Sequence, residues 1–180
     1  MVKPAGLFTV CAALLGLALA GPSRAQGSDP WRPLERFVGE WRGTATGQAG
    51  NGEVVRRYAK VMGGRFIQET NTSTYAPQEK NKKGEVHEHA GMFSYDKQRK
   101  LLVLRQFHIE GFVNTYKQVS DGSAARLVFE SEAFENFSNA WKARETYEFD
   151  GDERLIETFE LAAPGKEFQV YSRTELTRAR

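Results

Sequence analysis

The chain contains three histidines, and two of them have a spacing that could bind a metal. His87 and His89 are two residues apart, so on a β-strand both would lie on one face. Histidine pairs of this kind bind zinc and iron when another strand supplies a third ligand, for which His108 is the candidate. The alternative, which the pattern favours, is that His87 and His89 are solvated at the start of a strand. His108 would then either form hydrogen bonds in the core or face a cavity.

Charged residues interrupt several faces of the predicted strands that are otherwise apolar. Alternate residues of a strand share a face, and four such faces read Val55-Arg57-Ala59-Val61, Leu101-Val103-Arg105-Phe107, Ala143-Glu145-Tyr147-Phe149 and Leu155-Glu157-Phe159-Leu161. A buried charge has to be paired or contact a ligand. One interpretation is therefore a polar interior in which an arginine binds a carboxylate or phosphate. The alternatives are a closed Arg–Glu network, or the opposite register with these charges outside.

These faces give a set of candidate ligand-binding residues for a small amphipathic or carboxylated apolar molecule. The set consists of Arg57, Arg105, Phe107, His108, Glu145 and Tyr147. An alternative is an enzyme in which Glu145 or Glu157 acts as a general base. The chain has no Gly-x-Ser-x-Gly, Walker or His-Glu-x-x-His motif and no cysteine beyond Cys11, so the sequence indicates no catalytic residue or cofactor by motif.

Strand and turn signals alternate from residue 40 onwards and predict an all-β fold. The predicted strands are 40–48, 53–61, 65–75, 85–95, 100–109, 111–119, 125–132, 142–149, 153–161 and 167–177. Segments rich in Gly, Asp, Asn and Pro separate them. Helical periodicity is absent after Val38, so no crossover helices are available for a parallel sheet. We expect a ten-stranded antiparallel up-and-down barrel, with a two-sheet sandwich as the alternative.

A short N-terminal helix is predicted just before the first strand. Asp29 and Pro30 suit its start, and Gly39 stops it. Trp41 follows in the first strand, and the last strand carries Arg178. A Gly-x-Trp entry with a terminal arginine resembles the calycin superfamily of lipocalin-like barrels. The resemblance implies structural closure by Gly39, Trp41 and Arg178, with the arginine over the indole ring, a contact of about 0.5–2 kcal/mol.

Two further motifs are similar to those of an exported bacterial domain of unknown function related to the calycins. They are Met62-Gly63-Gly64-Arg65-Phe66-Ile67 and Gly91-Met92-Phe93-Ser94-Tyr95-Asp96. The helix and ten strands also resemble the nitrobindin-like haem-binding barrels, which bind haem through a histidine near the C-terminus. This chain has no histidine after His108 and reads Tyr171-Ser172-Arg173 in that region. The resemblance implies haem only if His108, Tyr171 or another residue is the axial ligand.

The segment 133–141 places three aromatic residues between two late strands. Phe134, Phe137 and Trp141 stand among Asn, Ser and Glu. We expect the segment either to cover a cavity mouth as a lid or, as slightly favoured, to plug a barrel end.

Residues 1–25 are predicted to be a signal peptide, ahead of a single domain at 26–180. Lys3 precedes an apolar run over 7–20, and Ser23-Arg24-Ala25 supplies small residues for cleavage. We therefore expect a periplasmic or secreted protein. After cleavage the basic and acidic residues balance, which does not favour nucleic acid as a partner. No later apolar run is long enough to span a membrane, and the sequence does not indicate an oligomeric state.

Cleavage between Ala25 and Gln26 can be tested directly. In a Gram-negative host, intact-mass spectrometry of the exported protein is expected to give a chain that begins at Gln26. A chain beginning at residue 1, or a lipid attached to Cys11, would contradict this prediction.

Overall fold

The computed structural model describes residues 29–120 and 125–180, so the predicted signal peptide lies outside the described residues. Ten strands form a closed antiparallel barrel in which each strand pairs with its neighbours in sequence and β1 pairs with β10. The strands are β1 (Gly39–Gly47), β2 (Gly50–Val61), β3 (Phe66–Tyr75), β4 (Glu85–Asp96), β5 (Leu101–His108), β6 (Val113–Gln118), β7 (Arg126–Glu135), β8 (Lys142–Asp150), β9 (Arg154–Ala162) and β10 (Gln169–Arg178). The predicted ten-stranded up-and-down barrel is confirmed.

The segment before β1 is a 3₁₀ helix, Arg32–Phe37, which begins later than the sequence predicts. Asp29 instead accepts a hydrogen bond from the backbone N–H of Trp31, at 3.0 Å. Pro30 and Pro33 both lack an N–H group, which leaves few donors for α-helical turns. No helix within the described residues is long and apolar enough to cross a membrane.

The interior of the barrel is apolar at one end and polar in the middle. The apolar end consists of inward side chains from most strands, namely Tyr58, Ile67, Phe93, Leu104, Tyr116, Phe129, Tyr147, Leu155 and Leu176. Two residues along the same strands, or four in the case of Asn71, the buried side chains become polar or charged: Arg56, Glu69, Asn71, Gln106, Asn114, Glu145, Glu157 and Thr174. The barrel is therefore solid at one end and polar at mid-height.

The 3₁₀ helix closes the apolar end. Leu34 and Phe37 are fully buried. The ring of Phe37 makes edge-to-face contacts with Tyr58, Tyr147 and Phe149, at centroid distances of 5.1, 5.3 and 4.9 Å. Such contacts add about 0.5–1.5 kcal/mol per pair to the burial of the rings. The helix is thus a plug that is continuous with the barrel core.

Arg178 connects this plug to β1 and β10, the first and last strands of the barrel. Its guanidinium lies 4.2 Å from the centre of the Trp41 ring and donates hydrogen bonds to the carbonyls of Val38 and Arg36, at 2.8 and 2.7 Å. Trp41 is fully buried. Gly39 has a φ of +137°, and a Cβ there would lie 2.8 Å from the arginine Nη1. The closure arrangement implied by the resemblance is therefore the one observed.

Removing the Trp41 ring should open this end of the barrel. Trp41→Ala is expected to lower the free energy of unfolding by about 3–5 kcal/mol, because the surrounding rings cannot fill the cavity. Arg178→Ala should cost less, because a chain end relaxes. Arg105→Ala, at an exposed strand position, is the control and should stay within about 0.5 kcal/mol. An unchanged denaturation midpoint in Trp41→Ala would contradict the assignment.

Candidate functional site

A cavity of about 510 Å³ occupies the other half of the barrel interior. Its floor is the polar layer at mid-height, and its mouth is ringed by aromatic side chains. The ring consists of Tyr75, Phe112, Phe134, Phe137, Trp141, Phe159 and Tyr171. Volumes of this size are typical of small-molecule sites, which combine apolar walls with a few placed polar groups.

Arg56 is the central charge of the floor, and its side chain is only 3% exposed. Its Nη1 lies 2.7 Å from Glu157 Oε2, and its Nε lies 3.4 Å from Glu69 Oε1. The Nε also donates a hydrogen bond to Asn71 Oδ1 at 2.9 Å. One arginine therefore meets two carboxylates, so these three groups together carry no surplus of positive charge.

Glu69 crosses from β3 towards β4 and depends on Gly91. The two residues are opposite one another in the sheet. A Cβ at Gly91 would lie 2.5 Å from Glu69 Oε2, so the glycine makes room for the carboxylate. Burial alone would raise the pKa of Glu69, but His89 and Arg56 outweigh it and lower that pKa to about 2.

Glu145 on β8 is another carboxyl group of the floor, and its pKa is shifted in the opposite direction from that of Glu69. It is 5% exposed, and its Oε2 has no hydrogen-bond partner within the described residues. Burial, together with the charge of the neighbouring Glu157, raises the pKa of Glu145 well above its ordinary value. The surroundings of Glu145 therefore favour its protonated form over its charged form, beside a charged Arg–Glu pair.

The three histidines meet on one wall of the cavity. His89 and His108 are directly opposite one another in the β4–β5 pairing, and His87 lies two residues along on the same face. One ring nitrogen from each can be chosen so that all three lie within 4.8 Å of one another. The third ligand that the sequence suggested, His108, therefore lies beside the predicted pair.

The surroundings of His108 keep its ring neutral. The ring stacks on Phe112 with a centroid distance of 4.3 Å. Burial, and then the neighbouring histidines, lower the pKa of His108 to about 3. A neutral imidazole has a free lone pair, which is the form that binds metals.

The inward orientation predicted for Arg57, Arg105 and Phe107 is wrong. Arg57 and Arg105 are exposed, and Phe107 is 52% exposed. The actual inward residues are one position away, Arg56 on β2 and Gln106 on β5. A shift of one residue moves every side chain of a strand to the other face. Arg105 can therefore serve neither a ligand in the barrel nor an internal ion-pair network.

The predicted faces of β8 and β9 are correct. Glu145 and Glu157 both point into the barrel and line the cavity, as does His108. Tyr147 also points inward, but it packs against Phe37 and Phe93 in the apolar half instead of lining the cavity. Its hydroxyl has no hydrogen-bond partner within the described residues.

The segment 133–141 lies at the cavity mouth and does not plug the closed end. Phe134 and Phe137 are in edge-to-face contact at 5.6 Å, and Phe137 and Trp141 are 6.1 Å apart. All three line the cavity, while Phe137 is 46% exposed. The first three residues of the segment are part of β7.

Several floor residues were missed by sequence reasoning. They are Arg56, Asn71, Gln106 and Asn114. The sequence contained one indication that these residues face inward. Asn71, Gln106 and Asn114 each lie two residues from another position that could face the interior. Uncharged amides are common on exposed faces, so this signal does not separate a cavity floor from solvent.

The barrel is similar to the crystal structure of Rv2717c from M. tuberculosis, with a TM-score of 0.60. The likeness covers 84% of this chain and 98% of that chain at 18% sequence identity, so it shows the fold alone. The sequence matches no protein-family model and no curated protein. The relationship to calycins and nitrobindin-like barrels stays a prediction.

The raised pKa of Glu145 predicts a pH-dependent stability. In the unfolded chain Glu145 ionises above its ordinary pKa of 4.5, whereas in the folded protein it stays protonated to a higher pH. The unfolded state therefore binds fewer protons, and the free energy of unfolding falls as pH rises through this interval. Glu145→Gln removes this penalty, so the variant should have a higher free energy of unfolding than the original protein at neutral pH. The gain should vanish near about pH 4.

Chemical denaturation at several pH values measures this effect. Glu157→Gln is the matched control, because it removes the partner of a buried arginine and should destabilise by roughly 3 kcal/mol. A Glu145→Gln variant less stable than the original protein across the whole pH range would contradict the protonated state.

Proposed function

We propose that this chain is an exported small-molecule-binding barrel that holds an amphipathic ligand in its cavity. The observation that carries the proposal is the division of the barrel interior. One half is packed solid, and the other encloses about 510 Å³ between an aromatic mouth and a polar floor. A barrel that served only as a scaffold would be more stable with the second half filled.

The arrangement of the lining orients the proposed ligand. Its apolar body lies between the rings of Phe134, Trp141 and Phe159, while its polar head reaches Gln106 and Asn114. Gln106 Oε1 is buried without a hydrogen-bond partner among the described residues. Buried amide oxygens of this kind need donors. The proposed head group is therefore a donor of hydrogen bonds.

The charge of the floor favours a neutral head group over a carboxylate. The arginines that would have bound a carboxylate, Arg57 and Arg105, are outside the barrel. Arg56 is already paired with Glu157 and Glu69. A carboxylated ligand would meet these carboxylates in a low-dielectric interior, which is unfavourable.

Export supports the proposed role but rests on the sequence. The apolar run and the Ser23-Arg24-Ala25 site suit a signal peptide, and binding would then occur in the periplasm or outside the cell. A mature chain without cysteine is compatible with either compartment, since its stability comes from the closed barrel and its core.

A second candidate function is acid–base catalysis by Glu145. The observation that favours it is a carboxyl group of raised pKa that lines the cavity beside Glu157. Two carboxyl groups with different protonation states can divide the roles of acid and base. For the proposed enzyme, Glu145→Gln would abolish turnover of a bound molecule while leaving its binding intact.

Haem does not fit the cavity well enough to be proposed. The floor presents the buried carboxyl groups of Glu145 and Glu157 where a macrocycle needs apolar contacts. Tyr171, the donor that β10 offers near the mouth, is 41% exposed. His108 lines the cavity, but its ring is stacked on Phe112 and lies within a group of three histidines.

Two related fluorescent probes test the ligand proposal. N-phenyl-naphthylamine is neutral, and its sulfonated analogue has the same rings with a negative charge. The neutral probe is expected to bind in the cavity and the sulfonated probe at least about tenfold more weakly, about 1.4 kcal/mol. Trp141→Ala should weaken the neutral probe by a similar factor. Native mass spectrometry of the mature protein would show a retained ligand by its own mass.

Phe107→Ala is the matched control, because it removes an aromatic ring from the outside of the barrel. It should leave binding of the neutral probe unchanged. Equal losses in Trp141→Ala and Phe107→Ala would mean that the probe binds a surface patch, and absence of binding by either probe would contradict the proposal.

A further inference from the structure

We propose that His87, His89 and His108 bind a divalent transition-metal ion on the wall of the cavity. The three residues are all the histidines of the chain. They are contributed by two adjacent strands, and all three line the same cavity. Nothing in the proposed ligand binding requires them, so the inference goes beyond the proposed function.

The sheet geometry sets the spacing of the three rings. Their centroids lie 5.3–5.8 Å apart. The chosen ring nitrogens lie within 4.8 Å of one another. Zinc bonds of about 2.0–2.1 Å place two tetrahedral ligands about 3.4 Å apart. The nitrogens must therefore close by about 1.5 Å or less, which side-chain rotation supplies without a change in the strands.

Two of the three rings have buried nitrogens without a hydrogen-bond partner among the described residues. The side chain of His89 is only 7% exposed, and neither of its nitrogens forms a hydrogen bond within the described residues. The buried Nδ1 of His108 has no hydrogen-bond partner there either. A buried polar atom without a partner costs about 1–3 kcal/mol. A metal ion bound to one nitrogen of each ring would remove part of this cost.

Neighbouring side chains are placed as an outer shell of a metal site. Glu110 Oε1 lies 2.8 Å from His87 Nδ1, which leaves the Nε2 of that ring for a metal. Glu69 Oε1 lies 3.4 Å from His89 Nε2. Carboxylates that contact metal-binding histidines orient the rings and raise their basicity. They also supply negative charge beside a divalent ion.

Asn114 can complete this shell through its side-chain amide. Its Nδ2 lies 3.2 Å from His108 Nε2 and 2.8 Å from the Tyr116 hydroxyl, while its Oδ1 has no partner among the described residues. The two ends of such an amide are assigned and not observed. Rotation of the amide by half a turn lets Oδ1 accept hydrogen bonds from His108 Nε2–H and from Tyr116. The lone pair of His108 Nδ1 is then free for a metal.

The donor set selects the class of ion. Three imidazoles suit Zn²⁺, Co²⁺, Ni²⁺ or Cu²⁺, whereas Mg²⁺ and Ca²⁺ prefer oxygen ligands. Three protein ligands also leave at least one coordination position for water or for a group from the cavity. The proposed site is therefore of the open kind and faces the space in which a ligand would lie.

Calorimetric titration of the mature chain, purified without a histidine tag, tests the site with Zn²⁺ as the probe. One equivalent of Zn²⁺ should bind per chain, and Ca²⁺ should not. Co²⁺ should give a visible absorption spectrum that Zn²⁺ abolishes. His89→Ala should lower Zn²⁺ affinity by about 100-fold or more, and Glu110→Gln, which changes only the outer shell, by about 10–100-fold.

Glu88→Gln is the matched control, because Glu88 lies between the two β4 histidines on the exposed face. It should bind Zn²⁺ as the original protein does. His87→Ala is a second test variant that is expected to fold normally, because the His87 side chain is 27% exposed near the mouth. This variant should lose the Zn²⁺-dependent rise in melting temperature. Equal Zn²⁺ affinity in the original protein and both histidine variants, or absence of binding, would overturn the proposal. Since no organic ligand is added, failure here is distinct from failure of the probe experiment.

Discussion

The buried charge of Arg56 is the constraint on which the rest of the interior depends. A guanidinium that is 3% exposed cannot remain unpaired, so Glu157 and Glu69 have to reach it from β9 and β3. Those two carboxylates then impose their own requirements. Glu69 needs a glycine at position 91 on β4, and Glu157 adds to burial in raising the pKa of its neighbour Glu145. One charge thus determines the side chains of five strands at one height of the barrel.

This polar layer also explains why the two halves of the barrel differ. Below it, the rings of Phe37, Phe93 and Tyr147 pack against one another and against the 3₁₀ helix. Above it, apolar side chains alone would leave the buried carboxylates and amides without partners. Space that admits water or a ligand satisfies those groups. The apolar half supplies the stability that permits the other half to stay open.

The sequence was sufficient for the fold because turns and strand lengths are local properties. Glu145 and Glu157 were assigned to the correct face because apolar and polar residues largely alternate along β8 and β9, with Ile156 and Ala162 as the apolar exceptions on the outer face of β9. Arg56 was missed because Val54-Val55 and Arg56-Arg57 present the same residue types to both faces. Leu101 to Leu104 are apolar on both faces for the same reason. In such strands only pairing with neighbours decides the register, and that is a non-local property.

The histidines show the same limit of prediction from sequence, because their arrangement also depends on strand register. The spacing of His87 and His89 is visible in the sequence, but their relation to His108 depends on the β4–β5 register. That register is fixed by apolar residues such as Phe93 and Leu104, which face each other in the filled half of the barrel. Packing at the closed end therefore positions the imidazoles in the open half. Replacing a buried polar network with apolar side chains is often neutral or stabilising in proteins. The proposed binding of a molecule or an ion would give Arg56, three carboxylates and three imidazoles at one cavity a physical role that stability alone does not require.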